Sequence, residues 1–333
     1  MKTSLAVLGI AALALVLPLP ASAGGSADAL SLVPADAATV GMVRIAEMRA
    51  NPLCAQFISE TDRIASGGEA DSFLRDAGLK PADDVDLLVV ALAPLAGKKQ
   101  EVRALIAAEG RFDAGRLAAA LEARGALKQT APGGTYYRLP EKDTHCKVEG
   151  KDVRGAVAFV ESRLLVAGTE DAVLQALADH ARGSSGFRSG VGLGRQLERV
   201  DVNSTAWALV DAKQLAQDHR FGTRDTASSA DSPAAGLAAA FKPVSCFAAS
   251  VTFRGEELDF SATGVSTDEE ALKLLEDTLR GVLAFWRLAV QEKNPDMVSA
   301  IRAFEVDRDD DSVTLAGTIP GDMIRRLIEK PAK

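Results

Sequence analysis

The densest run of acidic side chains in the sequence spans residues 307–312, Asp-Arg-Asp-Asp-Asp-Ser. Asp307, Asp309 and Asp311 alternate as the first carboxylates of an EF-hand calcium loop do, which makes them the weak metal candidates of this chain. That loop requires glycine at its sixth position and a bidentate glutamate at its twelfth. The sixth residue here is Ser312, and the run lies between two predicted strands. The sequence therefore favours a solvated acidic hairpin turn, and we predict neither a metal nor another cofactor.

The pair His145-Cys146 is the one place where a base adjoins a nucleophile. Adjacent side chains rarely face one another, and catalytic partners usually come from distant segments. The other histidines, His180 and His219, complete no HExxH or HxxxH pattern, so the common helical zinc motif is absent. We interpret the pair as an incidental, exposed one.

Motifs for nucleotide binding and serine catalysis are also missing. There is no Gly-x-Ser-x-Gly elbow and no Walker sequence, and Gly190–Gly194 lacks the preceding strand of a dinucleotide loop. A hydrolase built on scattered carboxylates, among them Asp83, Asp84 and Asp86, is the enzymatic alternative. Its signature would be two carboxyl groups that converge in a pocket. We predict no catalytic residue and favour a non-enzymatic protein.

Three cysteines allow at most one intramolecular disulfide, and their pairing is left open. Cys54 and Cys246 stand among apolar residues, which predicts small buried hydrophobic side chains. Cys146 stands in the polar stretch 142–151, which predicts exposure.

The aromatic side chains make up only 5% of the chain, which argues against a carbohydrate-binding platform. Trp207 and Trp286 lie on periodic apolar segments and are predicted to be core or sheet-face residues. Tyr136 and Tyr137 are predicted to be surface contacts.

The composition of the chain limits the classes of binding partner that we expect. The chain has 333 residues, 47% of them hydrophobic, and a formal net charge of -8. An acidic chain without a basic cluster argues against nucleic acids and anionic membrane surfaces as partners.

The N-terminal residues match a secretory signal peptide. Lys2 precedes an uncharged apolar run, Leu5–Leu19, and the small-residue exit Ala21-Ser22-Ala23 follows. We predict cleavage after Ala23, a mature N-terminus at Gly24, and a periplasmic or extracellular location. The run is shorter than a membrane span, and no cysteine stands at the exit for lipid attachment.

The predicted elements recur in the same order in the two halves of the chain. Asp113 is a predicted N-cap for a helix over 114–124, and Asp268 opens a long amphipathic helix. Val166–Thr169 and Leu315–Thr318 are similar strand ends, each followed by a helix. We interpret this as duplication of a β-α-β-β-α-β-β-α unit, with a chance likeness between ordinary segments as the alternative.

These elements predict an α+β fold of two tandem related units, each a largely antiparallel sheet with helices packed on one face. The predicted divisions are the signal peptide 1–23, a first unit 24–185, a Gly/Ser-rich linker with a short helix 186–202, and a second unit 203–333. Within the second unit, 223–236 is a predicted mobile loop.

One family resemblance follows from Ser31–Ala38, which contains Leu-Val-Pro-Ala-Asp just before the first strand. It resembles secreted bacterial proteins of unknown function that begin with a Leu-x-Pro-Ala-Asp segment. The likeness extends to Gly110–Asp113 and to Val166–Thr169, each before a helix. The resemblance implies architecture and export, and no activity.

The sequence thus predicts an exported, soluble, non-enzymatic protein that binds a ligand or a protein partner in the bacterial envelope. An apolar groove between the halves would favour a ligand, and a flat exposed apolar patch would favour a protein. A structural envelope component without a pocket is the further alternative.

Overall fold

The computed structural model describes residues 26–54, 69–94, 102–140, 147–148, 151–152, 154–217, 241–291 and 301–329. The chain divides into two compact units, Met1–Arg195 and Gln196–Lys333. The predicted signal peptide, the pair His145-Cys146 and the predicted loop 223–236 lie outside the described residues. The α+β class is confirmed, because both units combine antiparallel sheets with helices.

Unit 1 contains a sheet with the strand order β1-β2-β3-β9-β8-β5-β4, in which every neighbouring pair is antiparallel. Its strands are β1 Thr39–Val43, β2 Val85–Pro94, β3 Val102–Gly110, β4 Leu127–Ala131, β5 Gly134–Arg138, β6 Lys147–Val148, β7 Lys151–Asp152, β8 Gly155–Glu161 and β9 Leu164–Thr169. Among the described strands, β6 and β7 form a separate two-stranded sheet. Its helices are α1 Ser26–Ser31, α2 Ile45–Met48, α3 Glu69–Ala77, α4 Pro81–Asp84, α5 Ala114–Ala123 and α6 Glu170–Ala181.

Helix α5 begins where the sequence predicts it. The Asp113 carboxylate accepts a hydrogen bond from the Arg116 amide at 2.9 Å, which satisfies one of the free donors of the first turn. Gly125 follows the helix with a φ of +87°, a left-handed conformation that favours glycine. Leu117, on the buried face of α5, packs in one cluster with Phe159 and Leu165 of β8 and β9.

Strands β8 and β9 are buried on both faces. Phe159 and Leu165 pack against α5, while the alternate residues Ala158 and Val166 are fully buried. Helix α6, which follows β9 directly, contacts these two strands and buries Val173 and Leu177, together with two alanines.

The prediction that Tyr136 and Tyr137 are surface contacts is wrong, since they are only 5% and 6% exposed. The Tyr136 hydroxyl donates to the Glu170 carboxylate at 2.9 Å, and Arg138 donates to the same oxygen at 2.7 Å. The reason is that β5 is an inner strand. The polar segment Leu127–Ala131, which carries no strand signal, pairs outside it as β4.

The segment predicted as a linker contains two 3-10 helices, Gly186–Ser189 and Gly192–Arg199. Phe187 is fully buried, and its amide donates to the Val33 carbonyl at 2.9 Å. A Cβ at Gly186 would lie 2.2 Å from a backbone oxygen of the N-terminal segment. This part of the segment is therefore packed within unit 1.

Unit 2 contains a sheet with the order β10-β11-β12-β14-β13, again antiparallel throughout. Its elements are β10 Ala206–Asp211, α7 Ala212–Gln217, β11 Cys246–Arg254, β12 Glu257–Val265, α8 Glu269–Gln291, β13 Glu305–Arg308, β14 Ser312–Pro320 and α9 Gly321–Glu329. The path is the same as β1-β2-β3-β9-β8 in unit 1, where β5 and β4 extend the sheet further. Common descent of the two units stays a prediction.

The core of unit 2 lies between α8 and the sheet. Leu272, Leu275 and Leu283 of α8 pack with Val306 of β13 and Val313 of β14, all at most 7% exposed. Asp268 caps the helix, because its carboxylate accepts the Ala271 amide at 3.2 Å.

Candidate functional site

The acidic run 307–312 forms the β13–β14 turn. Asp307 lies on β13 opposite Thr314, and the Asp309 amide donates to the Ser312 carbonyl at 2.9 Å. The Asp311 carboxylate accepts a hydrogen bond from Arg199 at 2.5 Å, which raises the pKa of Arg199 above its ordinary value. Among the described residues, no group of three or more His, Cys, Asp or Glu side chains is arranged to hold a metal ion. The turn is thus held by an arginine within its own unit.

Two carboxylates of the enzymatic alternative, those of Asp84 and Asp86, take part in holding the start of β2. Asp84 accepts the Lys80 amide at 2.8 Å within the short helix α4. Asp86 lies between two guanidinium groups, at 2.9 Å from Arg163 and 3.5 Å from Arg49. The Asp83 carbonyl accepts a further hydrogen bond from Arg49 at 2.7 Å. These contacts give Asp84 and Asp86 a structural role at the start of β2.

The two described cysteines are buried free thiols, as the sequence predicts. Burial raises the pKa of Cys54 to about 12 and that of Cys246 to about 11. Because only the thiolate is an effective nucleophile, neither side chain is poised to react at neutral pH.

The surface of helix α8 that faces away from the core carries three large exposed apolar side chains. Leu274 is 49% exposed, Phe285 67% and Leu288 70%. Large exposed apolar side chains that share one side of a helix are a mark of interaction sites. We call the stripe formed by Leu274, Thr278, Gly281, Phe285 and Leu288 the outward face of α8.

The spacing of the outward face follows from helix geometry. Its members are separated by four, three, four and three residues, so they lie on one side of the helix, above one another. The inward members Leu272, Leu275 and Leu283 follow the opposite side. Helix α8 therefore has two apolar stripes, and only one of them packs against the sheet.

Trp286 is another exposed apolar residue of α8, toward the C-terminal end of the helix. The prediction that it belongs to the core is wrong, because it is 55% exposed. Its spacing from Leu275 and Leu279 does place it near the inward side. A helix of 23 residues is about 35 Å long, and among its described side chains the last member of the unit 2 core is Leu283. Trp286 thus follows the last of these core residues.

Gly281 lies in the middle of the outward face. A Cβ built at this position would meet no atom within 4 Å, so the fold of the chain does not require a glycine here. Glycine in a helix interior costs about 1 kcal/mol relative to alanine. The residue lowers the stability of α8 and leaves its backbone accessible on the outward side.

Charge is unevenly distributed along α8. Residues 269–277 contain four acidic side chains and one lysine, whereas residues 278–291 contain two arginines and no acid. Arg280 pairs with Glu276 at 2.7 Å and donates to the Val306 carbonyl at 3.1 Å. The N-terminal part of the helix is therefore net negative and the C-terminal part net positive.

The exposed apolar residues of α8 could have been found from their spacing in the sequence. The inward period of α8 is predicted from Leu272, Leu275 and Leu279, but the second stripe has the same three-and-four spacing. A helix that is apolar on two sides must be covered on both or expose one of them. Within the described part of the chain, no helix combines the length and apolar content that a bilayer crossing requires.

Comparison with known proteins identifies no family. No family model matches the chain, and no curated protein matches it. Three crystal forms of TP0453 are similar in structure, each at 11% sequence identity. Form III covers 92% of this chain and 99% of that one with a TM-score of 0.49, form I covers 92% and 98% with 0.46, and form IV covers 90% and 96% with 0.48. Likeness of this extent carries no argument about function.

Proposed function

We propose that this protein is exported to the bacterial envelope and acts there without catalysis, by binding a protein partner through the outward face of α8. The observation that carries the proposal is the joint exposure of Phe285 and Leu288, at 67% and 70%, beside the half-exposed Leu274. Interfaces between proteins are enriched in aromatic side chains, which bury their apolar surface when the complex forms.

The shape of the surface favours a protein over a small ligand. A small-molecule site is concave and surrounds most of its ligand. The stripe on α8 lies instead along the convex side of one helix, where a small molecule would remain largely in water. A second protein surface can cover it over its full length, which is about 20 Å from Leu274 to Leu288.

The N-terminal sequence supports export. Residues 1–23 have the charged start, apolar middle and small-residue exit of a secretory signal peptide. Expression of the full chain in a bacterial host, with intact-mass measurement of the periplasmic and secreted fractions, tests this part. We expect a chain that begins at Gly24, and a soluble cytosolic species that still carries Met1 would contradict it.

Photo-crosslinking in living cells tests the binding surface. A benzoyl-phenylalanine replaces either Phe285 or, as a matched control, Leu127, which is 57% exposed on β4 of unit 1. We expect discrete protein adducts from position 285 and none of comparable yield from position 127. Equal yields, or no protein adduct from 285, would contradict the proposed function.

A further inference from the structure

We infer that Asn203 is an acceptor for asparagine-linked glycosylation, and that the sugar is attached during export, before unit 2 folds. The inference rests on the export that we propose and is independent of the binding surface on α8. Three observations support it: the residues on either side of Asn203, the exposure of Asn203 itself, and the burial of the residue two positions after it.

One of the three asparagines of the chain lies in a glycosylation signal. The signal is Asn-x-Ser/Thr, in which x is not proline. Asn51 and Asn294 are each followed by proline, whereas the run Asn203–Thr205, Asn-Ser-Thr, fits the pattern. The bacterial form of the signal also has an acidic residue two positions before the asparagine, and Asp201 stands there. The sequence therefore contains one complete signal, centred on Asn203.

The fold places Asn203 on the surface, in the turn that precedes β10. Its backbone amide donates to the Asp201 carboxylate at 2.8 Å, and the Ser204 amide donates to the Asp201 carbonyl at 2.9 Å. These hydrogen bonds close a tight turn of the kind that aspartate side chains stabilise, and Asn203 is exposed in it. A sugar on this side chain would extend into water, so the modification is compatible with the folded unit.

The hydroxyl group of the signal is not accessible in the folded chain. Thr205 is 2% exposed, and its hydroxyl accepts a hydrogen bond from the Phe253 amide at 3.2 Å. Ser204 is also 2% exposed. Because the hydroxyl is part of the signal, an enzyme that reads the signal must reach it. The folded unit is therefore not a substrate, and the sugar must be attached earlier.

The direction of export provides the interval in which the signal is accessible. A chain that is led by an N-terminal signal peptide emerges with Thr205 ahead of Phe253, which follows it by 48 residues. Strand β10 cannot pair with β11 until that length of chain has crossed the membrane. Until then the hydroxyl of Thr205 has not met its partner, and the segment around Asn203 can enter an active site.

The reaction joins the Asn203 side chain to a sugar that is carried on a lipid. The side-chain nitrogen attacks the anomeric carbon of an oligosaccharide linked to a polyprenyl pyrophosphate. A carbon–nitrogen bond forms, and the bond between that carbon and the pyrophosphate oxygen breaks, with its electron pair leaving on the oxygen. One amide proton passes to a base of the oligosaccharyltransferase. The chain itself supplies only the acceptor nitrogen and the signal around it.

Intact-mass measurement of the exported chain tests the inference in a bacterial host that carries an asparagine-specific oligosaccharyltransferase and its lipid-linked donor. We expect two species that both begin at Gly24, one of them heavier by the mass of the oligosaccharide. Asn203→Gln should remove the heavier species. Asp201→Asn keeps an oxygen for the Asn203 amide and removes the charge, and it should lower the heavier share at least about tenfold, as for the loss of one charge-assisted hydrogen bond. Asp309→Asn, the matched control at an exposed carboxylate of the same unit, should leave the share unchanged.

The folded chain provides the second arm of the experiment. A chain purified from a host without the transferase, and then incubated with the transferase and its donor, should gain no sugar because Thr205 is buried. Modification of this folded chain to the same extent as in cells would overturn the timing. An exported chain that begins at Gly24 and never carries a sugar, or a heavier species that survives Asn203→Gln, would overturn Asn203 as the acceptor. A cytosolic chain that still carries Met1 would instead contradict the proposed export, and the inference with it.

Discussion

Helices α6 and α8 each pack against strands of their own unit, yet their outer surfaces differ. Helix α6 buries Val173 and Leu177, and its outer side is polar, with Gln175 donating to the Asp179 carboxylate at 2.8 Å. Helix α8 buries its inward leucines and exposes a second apolar stripe that ends at Phe285 and Leu288. Packing of one apolar side of a helix against the sheet is therefore enough to stabilise a unit. The exposed apolar side chains of α8 are then available to bind a partner.

The largest expected difference is between substitutions at two adjacent leucines of α8, one on its inward side and one on its outward face. Leu275 is 1% exposed in the core of unit 2, whereas Leu274 is 49% exposed on the outward face. Leu275→Ala should lower the free energy of unfolding by about 2–5 kcal/mol, because it removes packed methyl groups and leaves a cavity. Leu274→Ala should change it by less than about 0.5 kcal/mol when urea unfolding is measured on the monomer. Equal losses would mean that both stripes stabilise the unit.

The helix caps provide a second, smaller contrast. Asp268 accepts the Ala271 amide at the start of α8, whereas Thr169, the N-cap residue of α6, makes no side-chain cap hydrogen bond. Asp268→Ala should cost about 1 kcal/mol and Thr169→Ala should cost about 0.3 kcal/mol or less, both in urea unfolding. A larger loss at Thr169 would contradict the assignment of the caps.

Gly281→Ala should stabilise the chain. We expect a gain of up to about 1 kcal/mol in the free energy of unfolding, measured with urea, since alanine favours the helix and meets no atom. A loss of stability would show that Gly281 is required within the chain.

A further effect concerns the buried thiols, and it depends on pH. The pKa of Cys54 rises from 9.0 to about 12 on folding and that of Cys246 from 9.0 to about 11, in both cases because of burial. Below pH 9 both thiols are neutral in the folded and unfolded chain, so their contribution to stability is constant there. As pH rises from 9 towards 12, the unfolded chain loses these protons first and the contribution is lost. In a Cys146→Ser background, unfolding measured from pH 8 to 11 should show less decline after Cys54→Ala; an unchanged decline would contradict the assignment.

Much of the fold was predictable from local patterns. The Asp113 cap, the long helix after Asp268 and the hairpins of both units follow from capping residues and apolar periodicity. Strand β4 was not, because Leu127–Ala131 is polar and becomes a strand only through its pairing with β5. The burial of Tyr136 and Tyr137 follows from that pairing and was missed with it.

The sequence predicts the apolar periodicity of α8 but not which of its apolar residues are exposed. The spacing of Trp286 predicts a core residue, whereas its side chain is 55% exposed, because periodicity does not say how far along a helix the core extends. Likewise, two stripes with the same spacing on one helix do not reveal which of them the sheet covers. That depends on the direction in which the chain leaves β12, a tertiary property that local patterns do not contain.

The most direct test of the account combines both sides of the comparison in one measurement. A benzoyl-phenylalanine at position 285 reports the protein contact in cells, and Leu288→Asp places a charge on the outward face three residues away. We predict that this charge lowers the adduct yield about tenfold while Tm stays within about 2 °C, because Leu288 is 70% exposed in the single chain. Leu127→Asp should leave the yield unchanged. An unchanged yield with Leu288→Asp, or a fall in Tm of about 10 °C, would contradict the claim that this face docks a partner and is not needed for folding.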